Sequence, residues 1–252
     1  MPRRRALLGV FAACHDLRQR ESGDREDGIG ANELASIAET RRILVGCGFH
    51  PERDRAAFAT LELMIAGSSF DASPPVNPAE AAATAGALAP RLPALLDRLL
   101  PRWRDDPVLR RGVRLAMVAS DLDIGNVGES FDRFCLSSAR LCVEREALAG
   151  RRLDGRESFA PVLVFLSDGQ ERYFFELHRF SDPLGERAFG AEKAANAPRV
   201  RALAAALRNR FGGASATGGE VLAAFLAGAG CALDALGPSY GQAAPRPSAE
   251  AR

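Results

Sequence analysis

Apolar residues recur at helical spacing from one end of the chain to the other. Over residues 5–19 the set is Leu7, Leu8, Val10, Phe11 and Cys14, and the apolar run stops near His15 and Asp16. The polar, glycine-containing stretch 21–30 predicts an exposed loop. Asn32 is the expected N-cap of a helix through about Cys47, with Leu34, Ile37, Ile43, Leu44 and Val45 as its apolar set and Gly48 as its stop. A third helix is expected over 52–66, turning Phe58, Leu61, Met64 and Ile65 inward. Residues 67–78 form a Ser/Pro-rich connection, and Pro78 suits the first turn of an Ala-rich helix. Helices over 91–103, 107–121 and 127–148 follow, the last ended by Gly150.

Residues 161–180 read two ways. The run Val162 to Leu166 is β-like, the part from Gln170 to Phe180 suits a helix as well, and the helical surroundings favour helix. Segments 189–210 and 218–235 close the fold, with Pro198 kinking or restarting the first of them. Residues 237–252 have the composition of a disordered tail. The expected fold class is therefore all-α: one irregular multi-helix domain over 1–236, not a four-helix bundle of matched lengths.

Composition narrows the class of partner. A chain of 252 residues with 47% hydrophobic and 26% charged residues can bury a substantial core. A formal net charge of +1 supplies no global attraction to nucleic acid or to an anionic membrane, so neither partner is expected. Lys193 is the only lysine, and the arginine-rich faces around 102–111 and 199–210 suit solvated helix surfaces. Cys14, Cys47, Cys135, Cys142 and Cys231 include no CxxC pair and fit neither a zinc ribbon nor a disulfide framework. A cytoplasmic location is the simplest expectation. Arg3-Arg4-Arg5, a short apolar run and Ala12-Ala13-Cys14 imitate a lipoprotein signal. Processing at Cys14 would remove the first helix, and that reading ranks last.

The candidate chemistry begins at His15 and Asp16. A neighbouring imidazole and carboxylate at the end of an apolar helix can face one point, and borderline divalent metals accept that mixture. The alternative is a histidine complementing a helix C-terminus. Glu33 lies at a helix start, where a carboxylate is favoured by the dipole whether or not it has chemistry to do. Asp121 follows a strongly apolar helix and is expected in or near the core, where a carboxylate is costly unless paired or bound to metal. Asp123, two residues on, faces elsewhere. His50 before Pro51 suits a solvated role, and His178 beside Phe175 and Phe180 a packed one.

Taken in order, these segments resemble the HD-type metal-dependent phosphohydrolase superfamily. They are Ala12-Ala13-Cys14-His15-Asp16, Asn32-Glu33-x-x-Ser36, Leu63-Met64-Ile65-Ala66-Gly67-Ser68 and Ala119-Ser120-Asp121-Leu122. The resemblance covers about residues 6–150, with 151–236 as a helical extension, and implies an HD-domain-like bundle. It places His15, Asp16 and Asp121 as ligands of a divalent metal (Mn, Fe, Co, Ni, Zn or Mg), with Asp16 as a possible bridge. Asp16 and Glu33 are the implied catalytic residues, Glu33 as a carboxylate partner for His15. The family's first histidine has no counterpart among the fourteen residues before His15.

The implied function is hydrolysis of a small phosphorylated substrate, a phosphomonoester or phosphodiester such as a nucleotide, by metal-activated water. The alternative is a non-catalytic HD-like binding or regulatory module that has lost the complete metal site.

Overall fold

The computed structural model describes residues 2–19, 21, 25–72 and 85–237, with the side chains of 2–4 excepted. The helix expected at Pro78 and the tail beyond Gly237 lie outside these residues. In chain order the helices are α1 (Pro2–Cys14), α2 (Ala31–Gly46), α3 (Arg55–Ser68), α4 (Leu92–Leu99), α5 (Pro107–Asp123) and α6 (Phe131–Leu148). They continue with α7 (Phe159–Val164), α8 (Pro183–Phe211) and α9 (Gly218–Gly228). A two-stranded antiparallel ribbon, β1 (Phe70–Asp71) with β2 (Gly86–Ala87), pairs Phe70 with Ala87 and Asp71 with Gly86. The fold is all-α with this one small ribbon among the described residues.

The helix from Phe159 resolves the ambiguous stretch in favour of helix. After α7 the chain passes through a π-turn at Phe165–Gly169, a short α-helical piece at Gln170–Arg172 and a second π-turn at Tyr173–Leu177. Pro198 lies inside α8 and does not end it.

The contacts divide the described residues into two compact units, one within 1–125 with 177–188 and one within 126–176 with 189–237. In the first unit, α3 is the central helix. Phe58, Leu61, Met64 and Ile65 are all buried, as their spacing requires, in a core shared with Phe11, Leu44, Leu88, Leu92, Leu115, Ala116 and Ala119. Small residues let α3 and α5 approach closely. A Cβ on Gly67 would stand 3.2 Å from the Ala116 Cβ and 3.2 Å from Leu92 Cδ1, so only glycine fits without displacement. Asp106 caps α5 by accepting from the Val108 N–H at 2.8 Å, and Pro107 occupies the first turn. Trp103 packs with Leu96 and Val113, its indole N–H donating to Asp97 at 2.8 Å.

Helix α2 departs from expectation in both cap and face. Gly30, not Asn32, is its N-cap, and the buried stripe is Ser36, Thr40 and Leu44, whereas Val45 is 48% exposed. Small polar residues occupy the inward positions, so hydrophobicity alone misplaces the buried face.

In the second unit, Phe134 of α6 meets Phe174 edge to face, with ring centroids 5.6 Å apart. Cys135 and Cys142 are buried on the inner side of α6, and burial pushes both thiols up to about 12. Val221, Leu222, Phe225 and Leu226 of α9 are buried, and α9 begins with a reciprocal capping box between Thr217 and Glu220.

Candidate functional site around His15

His15 follows the last residue of α1 and still donates its backbone N–H to the Phe11 carbonyl at 2.9 Å. Its ring stacks on Phe11 at 4.8 Å between centroids and 29° between planes, which fixes its orientation. Nδ1 lies 3.2 Å from the Phe11 carbonyl oxygen. Nε2 lies 3.0 Å from Asp123 Oδ1 and 3.2 Å from Asp16 Oδ2. Both ring nitrogens therefore face acceptors, a pattern that only the doubly protonated ring satisfies. The Asp123 carboxylate, and next the Asp16 carboxylate, push the imidazole up to about 10 against the opposing effect of burial. The His15 side chain is 16% exposed, Asp123 26% and Asp16 63%, so the cluster opens to solvent on the Asp16 side. Gln19 donates its amide to the other oxygen of Asp16.

The Asn32-Glu33-x-x-Ser36 segment acts on the loop that follows Asp16. Ser36 Oγ accepts the Arg18 backbone N–H at 3.1 Å, and Asn32 Oδ1 accepts that of Glu21 at 3.0 Å. Thus α2 pins the chain immediately beyond the His-Asp pair. Glu33 does not reach His15: its carboxylate folds back over the N-cap, where a Cβ on Gly30 would fall on Glu33 Oε2. The carboxylate partner expected from Glu33 is supplied instead by Asp123.

Asp121 is buried, as expected, but it serves a different part of the chain. Its Oδ1 accepts the Ser181 backbone N–H at 2.6 Å and its Oδ2 that of Asp182 at 2.9 Å, immediately before α8. Burial raises its pKa, and the two backbone N–H groups oppose that rise. Gly185 completes the fit, because a Cβ there would clash with the Asp121 carboxylate. Successive positions on a helix are about 100° apart, so residues 121 and 123 point to nearly opposite sides of α5. One reaches the segment at 181–182 and the other reaches His15.

Of the sequence-predicted set, the structure brings together His15 and Asp16 and leaves Asp121 and Glu33 elsewhere. Asp123 is the member that sequence reasoning set aside. Its signal was the burial of Asp121, which sends a carboxylate two residues later to the other side of the helix. Among the described residues, no group of three or more His, Cys, Asp or Glu side chains is placed to hold a metal ion. His178 is buried and packed, Nε2 at 3.1 Å from the Ile124 carbonyl, and His50 is exposed. No helix among the described residues is long and apolar enough to cross a membrane.

Fold and site together define an all-α protein with a histidine held between two carboxylates near the end of its first helix. No family model matches the chain, and no match to it was found among curated proteins or solved structures.

Proposed function

We propose that the protein is an HD-like, metal-dependent phosphohydrolase acting on a small phosphomonoester or phosphodiester, with His15, Asp16 and Asp123 as the residues that would rearrange from their present hydrogen-bonded cluster to hold its metal. The observation that carries the reading is the convergence of Asp16 and Asp123 on His15 Nε2 while Nδ1 faces a backbone carbonyl. A backbone acceptor on one ring nitrogen is the usual device for aiming the other at a metal. One imidazole nitrogen with two carboxylates is a donor set that borderline divalent ions accept. As placed, the carboxylates share a proton on Nε2; a divalent ion held by these three side chains would displace that proton and require both carboxylates to shift. Bound there, it would supply an activated water and neutralise phosphate charge.

The chain's own contribution is positioning. The Phe11 ring and carbonyl orient His15, Gln19 holds Asp16, and Asn32 with Ser36 holds the loop beyond it. The 63% exposure of Asp16 leaves an approach for a small phosphate ester.

A second reading, a non-catalytic HD-like binding module, is favoured by one specific observation. Asp121, the carboxylate that the resemblance assigns to the metal, is committed to two backbone N–H groups. Elemental mass spectrometry of the purified chain, followed by turnover of p-nitrophenyl phosphate and bis(p-nitrophenyl) phosphate with added Mn, Co, Ni or Zn, separates the two. The hydrolase reading expects bound metal and turnover, both lost in His15→Ala and Asp16→Ala. No metal and no turnover in the unaltered chain would leave the binding module.

A further inference from the structure

The first unit contains a cleft of about 440 Å³ between α1, α2, α3 and α5, and none of the residues discussed above as metal ligands lines it. Its volume lies within the range of small-molecule sites, about 300–1,000 Å³. Leu44, Leu61 and Leu115 line its wall as buried residues, Leu7 and Val10 of α1 line another side, and Phe49 stands at the mouth, 42% exposed.

The polar atoms of the lining decide what it can accept. Thr60 contributes a hydroxyl, but that group already donates to the Ala56 carbonyl at 2.7 Å. Asp54 and Arg53 also line the cleft and neutralise each other, with Arg53 Nη2 at 2.8 Å from Asp54 Oδ2. Asp54 further accepts the His50 N–H, and Arg53 donates to the Gly48 carbonyl. Among the described side chains, Arg111, exposed on α5, is the remaining charged group of the lining. No ion pair or hydrogen bond engages it among the described residues. An occupant therefore needs a body that asks for no hydrogen bonds and a head that carries one negative charge.

We propose that this cleft binds the anion of a medium-chain alkyl carboxylate, with its hydrocarbon chain against Leu44, Leu61 and Leu115 and its carboxylate on Arg111. The site is separate from the His15 cluster and stands or falls independently of the hydrolase reading.

Isothermal titration of the full chain with dodecanoate, below its micelle concentration, tests the assignment. Saturable binding is expected, with dodecan-1-ol weaker by about tenfold or more because it lacks the charge-assisted contact. Arg111→Glu, an exposed substitution that leaves the core intact, should abolish dodecanoate binding and admit dodecyltrimethylammonium instead. Ala57→Phe, which fills the cleft, should remove binding of both, and His15→Ala should change neither. Absence of saturable dodecanoate binding, or binding indifferent to Arg111→Glu, would overturn the proposal. So would a concentration-dependent dimer of the unaltered chain that Phe49→Asp dissociates, since the cleft would then belong to a second copy.

Discussion

His15 owes its charge to its neighbours. In metal-free protein, Asp123→Asn should bring the imidazole from about 10 down toward its ordinary value of 6.5. Asp16→Asn should move it less, because Asp16 is the more exposed and the weaker of the two partners. NMR titration of the His15 ring protons measures both. The sign of the accompanying stability change follows from the raised folded value. Stabilisation from this cluster is fully present below about pH 6.5, where the unfolded ring is also protonated. It declines above that and is lost as pH passes through about 10. Denaturation midpoints that rise between these limits in the unaltered protein, relative to Asp123→Asn, would contradict the assignment. Asp121 acts by a different mechanism. Removing its carboxylate in Asp121→Ala strips two backbone N–H groups of their acceptor and should cost about 1–3 kcal/mol in urea denaturation.

At the scale of elements, the sequence reveals most where a helix buries a purely apolar stripe. The spacing of Phe58, Leu61, Met64 and Ile65 is enough to define α3 and its inner face. It fails on α2, whose inner face is Ser36, Thr40 and Leu44, because two of those positions are polar. The roles of Asn32 and Ser36 escape for a related reason: each accepts a backbone N–H from a loop eleven or eighteen residues away, a tertiary contact that leaves no local spacing. The His15 site is legible by half. Where α1 ends sets His15 and Asp16 together, but which of two aspartates on α5 meets them depends on how the helices cross. Caps are the opposite case, being local and chemical. Thr217→Ala should lose the reciprocal bonds with Glu220 and destabilise α9 by about 1 kcal/mol, read as a lower urea midpoint with an unchanged slope.

At the scale of the whole molecule, each of the two compact units has its own buried aromatic and aliphatic centre, and the chemistry proposed above lies entirely within the first. The chain has one tryptophan, Trp103, and it belongs to that first unit. It is 5% exposed, with its indole N–H on Asp97 and the Arg104 guanidinium 4.5 Å above the ring. Selectively excited indole emission is therefore a spectroscopic tag on one half of the protein, silent about the other. Far-ultraviolet dichroism sums over both halves. A denaturation curve recorded in emission and the same curve recorded in dichroism superimpose when the halves melt as one, and separate when they do not. The placement of a single aromatic side chain thus gives the protein an intrinsic, label-free readout of whether its parts are thermodynamically coupled.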